Sequence, residues 1–204
     1  MPSHAHTAAV IVDPDGARRC WWAGTDPLYR RYHDREWGRP VRRDRRLYEK
    51  LVLEGFQAGL AWITILRKRE RFRVAFHGFE PVVVAGFGAR DVRRLLADAG
   101  IVRHRGKIEA AIHNARRVLE VRRDHGSFSR YVWSFAPPPR SGPGPRSRRA
   151  IPATTPAARA LAADLRRRGF RFVGPTTVYA FMQAMGMVND HVAGCAFREP
   201  GRRG

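Results

Sequence analysis

The sequence predicts an all-α fold. Apolar residues recur at spacings of three and four along nearly the whole chain, and no stretch alternates apolar and polar residues over the length of a strand. The breaks between periodic segments carry the cap and stop residues that helices use. With 204 residues, 44% of them hydrophobic, the chain is long enough for one sizeable core.

The elements follow in order. "TDPLYRRYHDREW" opens with Asp26 as an N-cap and Pro27 in the first turn. "DRRLYEKLVLEGFQAGLAW" places Leu47, Leu51, Glu54, Ala58 and Trp62 on one face, provided the helix runs through Gly59. "LAWITILRKRERFRVAF" is a further helix with a basic second half. In "ARDVRRLLADAG" the stripe Val92, Leu95, Leu96, Ala99 ends at Gly100. Ile108, Ile112, Ala115 and Leu119 mark the next helix, and "FSRYVWSF" is short and aromatic. "APPPRSGPGPRSRRAIP" has six prolines and two glycines, which predicts an exposed, mobile linker over about 136–152. "TTPAARALAADLRRRG" resumes helix between Thr caps with Pro156 and a stop at Gly169, and "TTVYAFMQAMG" is the last apolar helix.

The formal charge of +21 favours a polyanionic partner, nucleic acid first. Only three of the 39 basic residues are lysine, so drift toward arginine accounts for part of the surplus. No run reaches the roughly 18 apolar residues of a membrane span, and the N-terminus lacks the pattern of a secretory signal. A cytoplasmic location is expected, where a disulfide between Cys20 and Cys195 is disfavoured.

Those two cysteines each share a short segment with a histidine: Cys20 with His33, and Cys195 with His191 in "NDHVAGC". Two thiolates and two imidazoles form a closed tetrahedral set suited to structural zinc. The spacing of four from His191 to Cys195 puts both on one side of a helical turn. The competing reading is a pair of buried free thiols with surface histidines. Glu54 sits on an apolar face, where a carboxylate must be paired, bonded or used. With Tyr32, Trp37 and Trp62 it suits an aromatic pocket for a flat cationic base; alternatively Glu54 pairs with an arginine and the aromatics are core. "LLADAGIVRHRGKIEAAI" reads as helix, tight turn, helix. Its backbone amides, with Arg103, His104, Arg105, Gly106 and Lys107, form either a phosphate cradle or an ordinary solvated hairpin.

Together, "DPLYRRYHDREWG", "LEGFQAGLAWITILRKRE", "DAGIVRHRGKIEAAIHNAR" and "RGFRFVGPTTVYAFMQAMGMVNDHVAGC" resemble, in register from about Arg19 to Pro200, the bacterial DNA-3-methyladenine glycosylase I family of the helix-hairpin-helix superfamily. The resemblance implies a helix-hairpin-helix glycosylase fold with a zinc-clipped subdomain made from both termini. It implies one domain over 19–200 with the hairpin within about 90–120; the chain departs from the family in an N-terminal extension over 1–18, expected to be disordered, and in its Pro/Gly-rich linker, and a tail follows at 201–204. One structural zinc ion is implied at Cys20, His33, His191 and Cys195. A base-binding carboxylate is implied at Glu54, with a possible second role as general base, and aromatic contacts at Tyr32 and Trp62. Gly59 and Leu60 would enter the gap left in DNA by the flipped nucleotide.

The implied reaction is hydrolytic release of 3-methyladenine from alkylated double-stranded DNA, leaving an abasic site, by a monomer needing no protein partner. The alkylated base is already cationic and leaves neutral without a general acid. Asp124 follows the hairpin but carries no context that assigns it a role. Two rival functions are a glycosylase with lyase activity, using Lys107 as a Schiff-base nucleophile, and a zinc-containing protein that binds damaged DNA without cutting.

Overall fold

A computed structural model of the protein describes residues 9–139 and 142–198. The chain divides into two compact units: 1–40 with 137–153 and 182–204, and 41–136 with 154–181.

The second unit is helical. Helix α2 (Asp44–Gln57) is buried on every side from Leu47 to Phe56, which makes it the central element of this unit. Helices α3 (Trp62–Ala75), α6 (Arg105–His125) and α7 (Phe128–Trp133) pack against it. The short α4 (Pro81–Ala85) and α5 (Ala89–Ala97) rest on α6. Helix α8 (Pro156–Arg167) begins as its sequence requires: Thr155 accepts from the Ala158 amide, Pro156 takes the first position, and Gly169 ends the segment at φ 86°. Helix α9 (Pro175–Ala184) starts in this unit.

Aromatic packing fills the core: the Phe56 and Phe72 rings lie 4.7 Å apart and Phe76 stacks on Phe79 at 5.3 Å. Buried polar groups tie the helices. Tyr48 donates to the Ala111 carbonyl across α2 and α6, and Asp44 accepts from the Phe128 and Ser129 amides at the start of α7. On α6 the buried positions include Ile108, Ile112, Ala115 and Val118, with Leu119 only half-buried.

The expected α2 stripe is cut short. Helix α2 stops at Gln57, because Gly59 takes φ 83° and turns the chain before Trp62, which becomes the first residue of α3. Ala58 and Trp62 therefore do not continue the Glu54 face.

The first unit departs from an all-α reading. Strands β1 (Val10–Val12) and β2 (Arg18–Cys20) form an antiparallel hairpin with Val10 opposite Cys20. Three-residue strands are too short to show alternation. The expected disordered extension thus holds ordered backbone from residue 10 onward, while 1–8 lie outside the described residues, as does 199–204 with the expected tail. Helix α1 (Pro27–Arg35) is capped by Asp26, which accepts from the Leu28 and Tyr29 amides. The Pro/Gly-rich segment is partly built into this unit: Pro145 is buried and its carbonyl accepts from Ala193, and Arg148 lies over the Trp21 ring. Gly186, at φ 71°, is required, since a Cβ there would fall 2.4 Å from the Arg39 backbone. Among the described residues no helix is long and apolar enough to cross a membrane.

Candidate functional site

The first unit brings the four predicted ligands together. Cys20 ends β2, His33 lies in the last turn of α1, and His191 and Cys195 follow α9. All four are buried, and their donor atoms lie within 4.8 Å of one another. The His191–Cys195 spacing is met by a tight turn, not a helical one: Cys195 donates to the Val192 carbonyl, and Gly194 sits at φ 82°.

Three cross-distances test the fit to a tetrahedral ion. Cys20 Sγ is 3.6 Å from His191 Nδ1, and Cys195 Sγ is 3.6 Å from His33 Nε2 and 3.4 Å from His191 Nδ1. Zinc bond lengths at tetrahedral angles give a sulfur–nitrogen edge of about 3.6 Å. The other nitrogen of each ring is engaged. His33 Nδ1 lies 2.7 Å from Asp34 Oδ1, and His191 Nε2 lies 3.2 Å from the Trp37 carbonyl. Those acceptors fix the tautomers and leave His33 Nε2 and His191 Nδ1 as lone-pair donors facing the thiols. The donor set therefore fits a metal ion. The amide of Val192 also donates to Cys20 Sγ.

Cys195 is pulled far below the usual thiol range, first by a hydrogen bond from the Cys20 thiol and then, against burial, by the two imidazoles. Cys20 is pushed up by the same bond and by burial.

Behind His33, Asp34 passes the contact outward to Arg19, whose guanidinium is 2.9 Å from Asp34, 2.7 Å from the buried Asp13 and 2.9 Å from Asp15. Arg30 also pairs with Asp13. A carboxylate–histidine arrangement of this kind holds ligand rings in place. Sequence spacing does not reveal it, although Asp34 directly follows a ligand. Tyr32, on the same helix, is buried among Trp22 and Tyr29, with ring centroids at 6.4 and 6.5 Å.

In the second unit Glu54 is buried, and its partner is a lysine, not an arginine. Lys50 Nζ lies 2.8 Å from Glu54 Oε1 one turn earlier on α2, with both side chains over nine-tenths buried. The same ammonium lies 3.3 Å from the centroid of the Trp62 ring. Glu54 and Trp62 are thus brought together through Lys50, a residue the sequence reading did not single out. The signal was present: Lys50 precedes Glu54 by four, the spacing of an ion pair on one helix face. Gly59 and Leu60 lie in the turn between α2 and α3, with Leu60 exposed.

The segment from α5 to α6 is a helix–turn–helix. Asp98 accepts from the Gly100 amide and pairs with Arg71, and His104 Nδ1 accepts from the Lys107 amide as the N-cap of α6. Arg103, His104 and Arg105 are exposed and Gly106 half-buried. Lys107 is the exception. It points inward and is buried, its ammonium donating to the Phe56 carbonyl at 3.0 Å and the Ala58 carbonyl at 2.6 Å. Burial lowers its pKa. The expected surface contact at Lys107 is corrected accordingly: this side chain caps the end of α2. Asp124 pairs with Arg123 and Arg168 on the surface.

The sequence profile of the methyladenine glycosylase family matches residues 22–199. The chain belongs to this family. It is 51% identical over 177 residues to DNA-3-methyladenine glycosylase 1 of Escherichia coli K12, covering 87% of this chain and 95% of that one. It is 44% identical over 180 residues to the DNA-3-methyladenine glycosylase of Haemophilus influenzae, covering 87% and 96%. Among solved structures, the 3-methyladenine DNA glycosylase I of Staphylococcus aureus, determined to explain 3-methyladenine recognition, superposes with a TM-score of 0.84 at 36% identity, covering 89% of this chain and 96% of that one. The mostly helical architecture is that of these glycosylases.

Proposed function

We propose that this methyladenine glycosylase removes 3-methyladenine from alkylated double-stranded DNA, hydrolysing the N-glycosidic bond and leaving an abasic site. The observation that carries the reading is the family match across nearly the whole chain, joined to a buried carboxylate and an indole meeting over one cation. The carboxylate supplies a hydrogen-bond acceptor and the indole a flat aromatic face, the groups that recognise a flat base.

The target atom is inside the duplex, so the nucleotide is flipped out, at a cost of a few kcal/mol that damage reduces. Leu60, exposed beside the φ 83° turn at Gly59, enters the gap left behind. Arg103, His104, Arg105 and the Gly106 backbone at the start of α6 grip phosphates, where the helix terminus adds its own positive end. Glu54 and Trp62 hold the base. Breaking the C1′–N9 bond sends its electron pair to the base, which leaves neutral; the positive charge passes to the sugar. Water adds there and releases one proton. No general acid is needed, so Glu54 serves chiefly to recognise the base.

Cys20, His33, His191 and Cys195 would hold one zinc ion, which would supply a structural cross-link. Four protein ligands leave no position for a reacting water. The lyase alternative loses support because Lys107 is buried and both its carbonyl bonds would have to break before it could attack a sugar.

The test is release of free bases from methylated duplex DNA, separated chromatographically. The wild-type protein is expected to release 3-methyladenine and leave 7-methylguanine in place. Glu54→Gln should lower the rate by about tenfold or more, as expected for loss of a charge-assisted contact of about 1.5–3 kcal/mol. A folded protein that binds the methylated duplex yet releases nothing would instead be a non-catalytic damage binder.

A further inference from the structure

We propose that Phe172, on the segment between α8 and α9, makes a DNA contact of its own, its ring packing on the sugar face of the strand whose phosphates the hairpin grips. The inference rests on the reading of Arg103, His104, Arg105 and Gly106 as that phosphate grip. Phe172 is held at φ 55° with 41% of its surface exposed. A non-glycine residue in the left-handed region costs energy, and an aromatic ring left in water forgoes its burial. Phe79 takes nearly the same φ, 58°, but is fully buried and stacks on Phe76, so core packing offsets its strain. The exposed ring of Phe172 supplies no such offset.

The surroundings fix the backbone in that position. Phe170 and Val173 on either side are buried, Phe170 stacking on Phe128 at 6.1 Å. Buried Asn114 of α6 clamps both ends of Arg171: its Oδ1 accepts from the Arg171 amide and its Nδ2 donates to the Arg171 carbonyl, each at 2.9 Å. Gly55 of α2 allows the close approach, since a Cβ there would lie 3.3 Å from the Phe172 Cβ and 3.6 Å from its carbonyl oxygen. Arg171 and Phe172 are left exposed. The Phe172 ring meets His104, the N-cap of α6, edge-on with centroids 6.4 Å apart. Lys107 lines the same small depression as Phe172, and its ammonium bonds the carbonyl of Ala58, two residues before Leu60. The exposed ring and guanidinium thus adjoin both the start of α6 and the turn proposed to enter DNA. A DNA strand presents an anionic phosphate and an apolar sugar face in turn. Cations flanking one ring match that alternation, and such a contact is indifferent to base sequence, as suits an enzyme that must engage damage anywhere.

The experiment measures binding of the full-length protein to a duplex carrying a tetrahydrofuran abasic-site analogue, by fluorescence anisotropy at a series of salt concentrations. Phe172→Ala removes the ring and keeps a Cβ at the strained φ; Phe172→Gly removes both; Phe172→Tyr keeps the ring. The first two should each weaken binding about fivefold or more, the scale of one partly exposed aromatic ring taken out of water. Phe172→Tyr should bind like wild type. An uncharged contact releases no counterion, so the slope of log K against log salt should not change, whereas Arg103→Ala should reduce it by about one. Glycine tolerates a positive φ, so Phe172→Gly should melt above Phe172→Ala while binding equally weakly, affinity following the ring and not stability. Binding of free 3-methyladenine should be unchanged in all three variants.

Wild-type affinity in Phe172→Ala and Phe172→Gly would overturn the inference. So would weaker binding with a shallower salt slope, which would reduce Phe172 to holding His104 and the hairpin in place. Wild-type affinity and slope in both Arg103→Ala and Arg105→Ala would instead overturn the phosphate-grip reading, whatever the Phe172 variants do. If Phe172→Ala fails to fold, Phe172→Gly, free of the backbone strain, carries the same comparison against Phe172→Tyr.

Discussion

Two of the three lysines in this arginine-rich chain are buried, and both end on acceptors the fold needs covered. Lys50 meets Glu54 and Trp62; Lys107 meets the carbonyls of Phe56 and Ala58, at and just beyond the end of α2. An ammonium is compact and sheds its proton more readily than a guanidinium, whose planar fork of five donors needs more room and more partners. That explains why lysine persists at these positions while arginine fills the surface. Lys107 also joins the first turn of α6 to the turn that carries Gly59 and Leu60. Lys107→Met keeps the stem and removes the ammonium, leaving two carbonyls short of a donor. The expected cost is about 1–3 kcal/mol. Urea denaturation measures it, and a midpoint equal to wild type would show that the two carbonyls lose nothing by the change. Borohydride treatment with DNA should trap no covalent adduct through this residue.

At the scale of elements, the helices follow from local chemistry, and the failures have local causes. Asp26 with Pro27 and Thr155 with Pro156 announce α1 and α8, and the structure has both caps. The α2 stripe was extended too far because its apolar period continues past a glycine whose φ breaks it. The β1–β2 hairpin escaped notice because three-residue strands carry no period; its only signal was the turn chemistry of "VDPDGA". That turn has a measurable acid sensitivity. Arg19 holds the Asp15 carboxyl down to about 2 from 3.8, helped by the Ala17 amide. A carboxylate whose pKa is depressed on folding contributes stability above its unfolded value and loses it as pH falls through the folded one. Asp15→Asn should therefore be less stable than wild type near pH 5, and the gap should close as pH falls from 3.8 to about 2. Denaturant titrations at a series of pH values read this out. A gap that stays constant with pH would assign the effect to packing.

At the scale of the whole molecule, the chain's terminal segments form one unit around Cys20, His33, His191 and Cys195, the two cysteines lying 175 positions apart in sequence. The ligand types could be read from the sequence, since two cysteines and two histidines near the ends suit a closed zinc site. What orders them could not, because Asp34, Arg19, Asp13 and the Trp37 carbonyl meet the site through space and follow no spacing rule. The same holds for the proposed base site, where Glu54 and Trp62 were expected on one helix and in fact meet across a break, through Lys50. One core cluster of the first unit is Cys20, Val192 and Cys195 with partly buried neighbours such as Trp22 and Phe197, and two of its three buried members are candidate metal ligands. Metal binding should therefore supply a large part of that unit's stability, though less than the roughly 10–16 kcal/mol seen when a peptide folds entirely on zinc. Treatment with a strong chelator is expected to release one equivalent of zinc and lower the melting temperature. It should also open 9–40 and 186–198 to trypsin, which has many arginines to cut there. Cys195→Ser should reproduce the effect without chelator. Re-addition of zinc should restore protection to the wild-type protein and leave the variant cleaved; protection that survives complete metal removal would show that the protein fold alone holds this unit together.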